Sequence, residues 1–211
     1  IVGSTGAGKS TLVDVFMGLL TPTAGRITVD GGLVDDFLPS WQRKIGYVAQ
    51  SIFLADDSLR RNVALGLPDP EIDDDRMWAV LRITQVADFV LSLPEGLDTF
   101  VGERGVRLSG GERQRIGITR ALYHEPEILV FDKATSSLDK QTEASVMQAI
   151  RALQRDHPLV IIAHRLSTVR WCNRLIYMKN GRIVESGTLD ELYLGNDEFR
   201  ALADSAELGA P

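Results

Sequence analysis

The feature that most constrains this chain stands at its start: Gly3-Ser4-Thr5-Gly6-Ala7-Gly8-Lys9-Ser10 fits G-x-x-x-x-G-K-[ST] without a gap. Ile1-Val2 before it reads as the end of a buried strand. Leu12, Val13, Phe16, Met17, Leu19 and Leu20 behind it recur at helical spacing. A strand, a glycine loop and a helix in close succession leave the backbone one economical course. The loop curls inward, and its N–H groups join the positive end of the helix in facing an anion. Lys9 then reaches the β- and γ-phosphates of a nucleoside triphosphate, and the Ser10 hydroxyl ligates Mg²⁺. The phosphate-binding candidates are Gly3, Ser4, Thr5, Gly6, Ala7, Gly8, Lys9, Ser10 and Thr11.

Strand-like and helical runs alternate through the rest of the chain. Arg26 to Val29 leads to the turn Asp30-Gly31-Gly32, and Ile45 to Ala49 is a short buried strand ending before Gln50. Ser58 to Leu65 and Asp74 to Leu93 are helical, the latter stopped by Pro94-Glu95-Gly96. Ser109-Gly110-Gly111 opens a helix to Tyr123. Ile128 to Phe131 and Leu159 to Ala163 are continuous apolar runs, as in strands covered on both faces of a parallel sheet. Asp139 to Leu153 is helical with Ala144, Val146, Met147, Ile150 and Leu153 inward. Asn180-Gly181 joins Leu175–Met178 to Arg182–Glu185 as a hairpin, and Thr188 to Glu191 is a capping box. The class is α/β: a P-loop core with a mostly parallel sheet and a helical subdomain inserted at about residues 55–125. One domain is expected to occupy residues 1–211, with the strands that would precede Ile1 missing.

Bulk properties narrow the partners. A formal net charge of −6 argues against nucleic acid, so phosphate affinity must come from a local cradle. Acidic clusters at Asp35-Asp36, Asp56-Asp57 and Asp73 to Asp75 read as solvated surface. The single cysteine, Cys172, excludes an intrachain disulfide and fits a reducing compartment. No apolar run approaches the ~20 residues that span a bilayer.

Two further motifs carry chemistry. Ile128-Leu129-Val130-Phe131-Asp132 places a carboxylate at the carboxyl end of a buried strand, where ligands of such sheets bind, and Asp132 there is a candidate for holding Mg²⁺. Leu108-Ser109-Gly110-Gly111-Glu112-Arg113-Gln114-Arg115 is a second glycine turn opening a helix. One triphosphate does not need two such cradles from one chain, unless the second serves another subunit's nucleotide.

With the P-loop, Gln50, Leu108 to Glu112, Asp132, Ser136-Ser137-Leu138-Asp139 and His164 in this order, the chain resembles the nucleotide-binding domains of ATP-binding cassettes. The resemblance implies ATP and Mg²⁺ as ligands, and a second nucleotide-binding domain and transmembrane domains as partners, at the cytoplasmic face of a membrane. Metal ligation would fall to Ser10, Gln50 and Asp132. Ser109, Gly110, Gly111 and Glu112 would meet the nucleotide held by the partner's P-loop. Asp139 would cross the dimer interface, and His164 would contact the γ-phosphate. Leu93 to Thr99, Val101 to Gly105 and Ile161 to Thr168 resemble the exporter branch, where the Glu103 segment touches the membrane domains. Tyr47 to Gly66 is similar to flippases for lipid-linked oligosaccharides.

Two departures from the family matter. Its adenine-stacking aromatic residue lies upstream of the P-loop, before Ile1. Lys133 stands where the family has the glutamate that polarises the attacking water. An ammonium has no lone pair to accept a proton, so Lys133 is expected to pair with phosphate oxygens. The rival to an ATP-hydrolysing domain is therefore an ATP-binding switch that closes and barely hydrolyses.

Overall fold

The structure, a computed structural model, describes residues 1–102, 108–134, 140–163 and 166–205. In chain order the elements are α1 (Lys9–Phe16), β1 (Thr28–Val29), β2 (Gly32–Leu33), α2 (Leu38–Arg43), β3 (Ile45–Val48), β4 (Asp57–Ser58), α3 (Leu59–Val63), α4 (Asp74–Ile83), α5 (Ala87–Ser92) and β5 (Phe100–Val101). They continue with α6 (Gly110–Tyr123), β6 (Ile128–Asp132), α7 (Lys140–Leu153), β7 (Leu159–Ile162), α8 (Leu166–Val169), β8 (Leu175–Lys179), β9 (Arg182–Gly187), α9 (Leu189–Gly195) and α10 (Asp197–Asp204). They form two compact units, Ile1–Gln42 with Val160–Pro211, and Arg43–Leu159.

In the first unit Ile1-Val2 behaves as the strand end that its apolar character implies. Val2 N–H donates to Ile176 O and Met178 N–H donates to Val2 O, both at 2.9 Å, while Ala163 N–H donates to Ile1 O at 3.1 Å. Val2 thereby bridges Tyr177 in parallel. β8 and β9 pair antiparallel around Asn180 (φ 49°) and Gly181 (φ 74°), the left-handed pair that matches the twist of a two-residue hairpin. Thr188 caps α9 in the expected box, its hydroxyl accepting from Glu191 N–H and its N–H donating to the Glu191 carboxylate. α1 is shorter than the apolar spacing predicts. Gly18 turns left-handed (φ 70°) and Leu19 N–H closes back on Asp14 O, so Leu19 and Leu20 lie beyond the helix, 59% and 45% exposed.

In the second unit β3 and β6 are parallel neighbours, with Ile45 opposite Ile128 and Val48 opposite Phe131. Leu129, Val130 and Phe131 are fully buried, as a strand covered on both faces requires. Gly46 leaves room for its neighbours: a Cβ there would lie 2.8 Å from Leu129 and Pro126 side-chain carbons and 2.9 Å from Ala121 O. Helices α3 to α6 enclose a core that includes Leu59, Val63, Met77, Leu81, Val90 and Ile116. Each such side chain contributes about 1.5–3 kcal/mol on burial.

The helical stretch predicted from Asp74 to Leu93 is two helices. Gln85 adopts φ 57°, and Val86 N–H reaches back to Leu81 O at 3.0 Å. This closure normally uses glycine, so the sequence carries no punctuation for it. In α7 Val146, Ile150 and Leu153 are buried as expected, but Ala144 is exposed and Glu143 is buried in its place. The acidic clusters also do more than face water. Asp73 caps α4 by accepting from Arg76 N–H at 3.0 Å, Asp57 and Asp69 pair with Arg61, and Asp74 and Asp98 pair with Arg60.

Candidate functional site

The glycine loop is held from two sides within the first unit. Gly3 has φ 151°, and a Cβ on it would stand 2.2 Å from Met178 O. Gly6 and Gly8 are left-handed at φ 79° and 92°. Gly8 lies against the β8–β9 turn, where a Cβ would be 3.3 Å from Gly181 Cα, and Gly181 N–H donates to Ala7 O at 3.1 Å. Ser4, Thr5 and Gly6 are exposed along the loop's rim. Lys9 is buried and spans the loop, donating to Gly3 O at 2.7 Å and Ser4 O at 2.8 Å. Leu12 N–H is bonded to Gly8 O; the N–H groups before it, at Lys9, Ser10 and Thr11, belong to the first turn, which has no intrahelical acceptors. The pieces of a phosphate cradle are thus together: left-handed glycines, helix-end donors and a lysine held over the loop.

The second glycine turn lies in the other unit. Ser109 is the N-cap of α6, with φ −61° and ψ 162°. Its hydroxyl accepts from Glu112 N–H at 3.3 Å, while its own N–H donates to Glu112 Oε2 at 2.8 Å. The exposed Ser109 and Gly110 face outward. Gly111 is buried against α7, where a Cβ would come within 2.4 Å of Thr142 Cγ2. A cleft of about 390 Å³ opens here, lined by residues including Gln85, Phe89, Ser109, Glu112, Arg115 and Thr142.

Sequence reasoning missed Arg115. Its Nη1 donates to Thr84 O at 3.2 Å and Gln85 O at 2.8 Å, and its Nη2 donates to Ser145 Oγ. Burial pushes its guanidinium below the usual arginine range, which three accepting oxygens offset. One side chain therefore ties the turn after α4, the start of α6 and α7 together. Only the bare motif Arg113-Gln114-Arg115 hinted at it. Arg115→Ala is expected to cost about 2 kcal/mol by orphaning these acceptors, lowering the melting temperature by roughly 4–8 °C in a domain of this size. Scanning fluorimetry checks this, and an unchanged melting point would mean that the bonds are not made in solution.

Gln50, Asp132 and Lys133 lie at the carboxyl ends of two neighbouring strands, β3 and β6. Val48 and Phe131 are register partners in parallel strands, so Gln50 and Lys133 each follow two residues beyond that pair, with Asp132 between. Gln50 is exposed; Asp132 and Lys133 are half-buried. Lys133 adopts φ 50°, a left-handed conformation that costs a non-glycine residue about 1–2 kcal/mol. His164, Asp139, Ser136, Ser137 and Leu138, and the Glu103 segment lie outside the described residues.

Comparison with known proteins identifies relatives of the chain in sequence and in fold. A profile of the ABC transporter family matches residues 1–136. The chain is 43% identical over 193 residues to an ABC transporter ATM1 of Toxoplasma gondii, covering 91% of this chain and 17% of that protein. It is 43% identical over 194 residues to an ATP-dependent lipid A-core flippase of Ralstonia nicotianae, and 41% identical over 192 residues to a putative multidrug export ATP-binding/permease protein of Staphylococcus aureus. These matches cover 91% and 90% of this chain, and 33% of each relative. The chain thus spans a third or less of the length of these relatives. A solved bacterial Atm1-family ABC exporter with ATP bound superimposes with a TM-score of 0.84 at 35% identity, over 95% of this chain and 35% of that one. The α/β fold with its parallel strands, the two glycine turns and these matches together place the chain in the ABC transporter family.

Proposed function

We propose that this chain is the nucleotide-binding domain of an exporter, taking up Mg-ATP in its Gly3–Ser10 loop and closing head to tail on a second such domain. The observation that carries this reading is the pair of glycine turns, each opening a helix, in one chain. In a head-to-tail dimer the Ser109–Glu112 turn of one copy completes the site begun by the other copy's P-loop. The donor set fits magnesium: the Ser10 hydroxyl, the Gln50 amide oxygen and the Asp132 carboxylate are all hard oxygen donors. Bound there, Mg²⁺ neutralises phosphate charge. Lys9 binds the β- and γ-phosphates, and the loop's N–H groups orient them and exclude water. His164 is assigned to the γ-phosphate and Asp139 to the dimer contact, both from their place in the motif order. The helical stretch at about residues 55–125 and the Glu103 segment would couple closure to membrane domains, which select the substrate. No helix among the described residues is long and apolar enough to cross a membrane; we place the chain at the cytoplasmic face of one.

Light scattering with ATP tests the arrangement. Lys9→Ala, which loses the phosphate cation, and Ser109→Arg, which fills the second cradle, should each stay monomeric alone. Mixed, they retain one intact composite site and should form weak heterodimers. ATP-driven dimers of either variant alone would sink the head-to-tail reading.

A second reading rests on Lys133. With no group at that position able to accept a proton, the dimer would close on ATP and release it slowly, as a switch or as the degenerate half of a pair with an active partner.

A further inference from the structure

Gly111, Arg115 and Thr119 follow one another at four-residue spacing along α6, so they share one face of the helix. Within the second unit that face forms a seam. Gly111 sits against α7, where a Cβ would come within 2.4 Å of Thr142 Cγ2. One turn on, Arg115 Nη2 donates to the hydroxyl of Ser145, which is likewise one turn on from Thr142 in α7. Arg115 Nη1 donates at 3.2 Å to Thr84 O and at 2.8 Å to Gln85 O, the carbonyls at the C-terminal end of α4, where a cation is favoured. A further turn on, the Thr119 and Thr84 hydroxyls lie 2.8 Å apart, both residues fully buried. The two contacts along α7 set the tilt of α6, and those to the end of α4 set its roll.

An apolar seam tolerates sliding, whereas hydrogen bonds are directional and weaken steeply out of line. Arg115 is the only member of this seam that bonds α4 and α7 at once, through the rigid fork of its guanidinium. Packing does not do the same work on the open side, because the cleft of about 390 Å³ runs beside the start of α6. Ser109 stands six residues before Arg115 and caps the same helix. At 1.5 Å per residue that is a lever of about 9 Å, on which a tilt of about 10° moves the turn by about 1.5 Å. We infer that Arg115 is a positioning residue: it holds the Ser109–Gly111 turn at the angle that completes a second copy's nucleotide site, and so sets the strength of ATP-driven closure without affecting nucleotide uptake by the chain's own glycine loop. This rests on the head-to-tail reading above.

The test reads two quantities in the parent chain, Arg115→Lys, Ser145→Ala and the double variant, with folding checked by circular dichroism. Displacement of a fluorescent ATP analogue at low protein concentration measures uptake by the single chain. Light scattering over a concentration series in ATP measures closure. Lysine keeps the charge, but as a point donor it cannot bridge α4 and α7 together. Arg115→Lys should bind ATP within about twofold of the parent and associate at least about tenfold more weakly, the scale of a lost hydrogen bond to a charged group. Ser145→Ala should show a smaller loss of association, about threefold or more, with uptake again unchanged. The double variant should associate no more weakly than Arg115→Lys, because Ser145 acts through Arg115. If Arg115→Lys does not fold, Ser145→Ala decides by the same two readouts. Association equal to the parent's, additive losses in the double variant, or losses of uptake that match those of association would overturn this inference alone. A parent chain that stays monomeric in ATP would overturn the head-to-tail reading, and the inference with it.

Discussion

Lys133→Glu should raise single-turnover hydrolysis of bound ATP by at least ~10²-fold, provided that chemistry limits the rate. General-base assistance contributes ~10² to 10⁴ in rate, or about 3–5 kcal/mol of barrier. Lysine cannot give it, because its protonated nitrogen has no lone pair with which to orient water. On the reading proposed above, its positive charge would act on the triphosphate before any bond breaks, stabilising the ground state as much as the transition state. The glutamate variant exchanges that hold for a proton acceptor, so its ATP affinity should fall while its chemical step accelerates. Quenched single-turnover reactions of both versions at saturating ATP separate the two effects. Equal rates would mean that another residue positions the water, and the mechanistic role assigned to position 133 would be withdrawn.

Lys9→Ala should reduce ATP affinity by at least ~100-fold, at or beyond the range of a direct binding assay. A hydrogen bond to a charged group contributes about 1.5–3 kcal/mol, and Lys9 is placed to make more than one. The substitution has a second effect inside the loop, because Lys9 also bonds the Gly3 and Ser4 carbonyls, and those oxygens would lose their donor. Lys9→Arg retains charge but carries a larger planar head into a buried position, and it should recover little. Unchanged ATP affinity in Lys9→Ala would refute the nucleotide loop itself.

Both glycine turns were legible because each is written in consecutive residues with local consequences: the loop, the cap and the helix start lie within one short stretch. The same holds for the Asn180-Gly181 hairpin and the Thr188 capping box. What escaped was either tertiary or out of phase. The break at Gln85 is a glycine-type closure made by a residue that reads as a helix former. Leu19 and Leu20 continue an apolar rhythm after Gly18 has already turned the chain. Glu143 takes the buried place expected of Ala144. Arg115 looks like a surface cation until Thr84, Gln85 and Ser145, distant in sequence, are brought around it. Asp132 and Lys133 are neighbours in the chain, but that Gln50 follows the carboxyl end of the adjacent strand comes from strand register, which no local pattern encodes.

The brace on the nucleotide loop has a consequence for how the protein is made. Ala7 O is bonded by Gly181 N–H, and Gly3 is packed against Met178 O, so the loop at the start of this chain is finished by a turn near its other end. Ribosomes add about 5–20 residues per second, which separates the two by roughly ten to thirty seconds of synthesis. During that interval the glycines are on the growing polypeptide without the wall that sets their curvature. The grip on ATP is therefore acquired only once the β8–β9 turn has been made, although the residues of the loop itself emerge well before it.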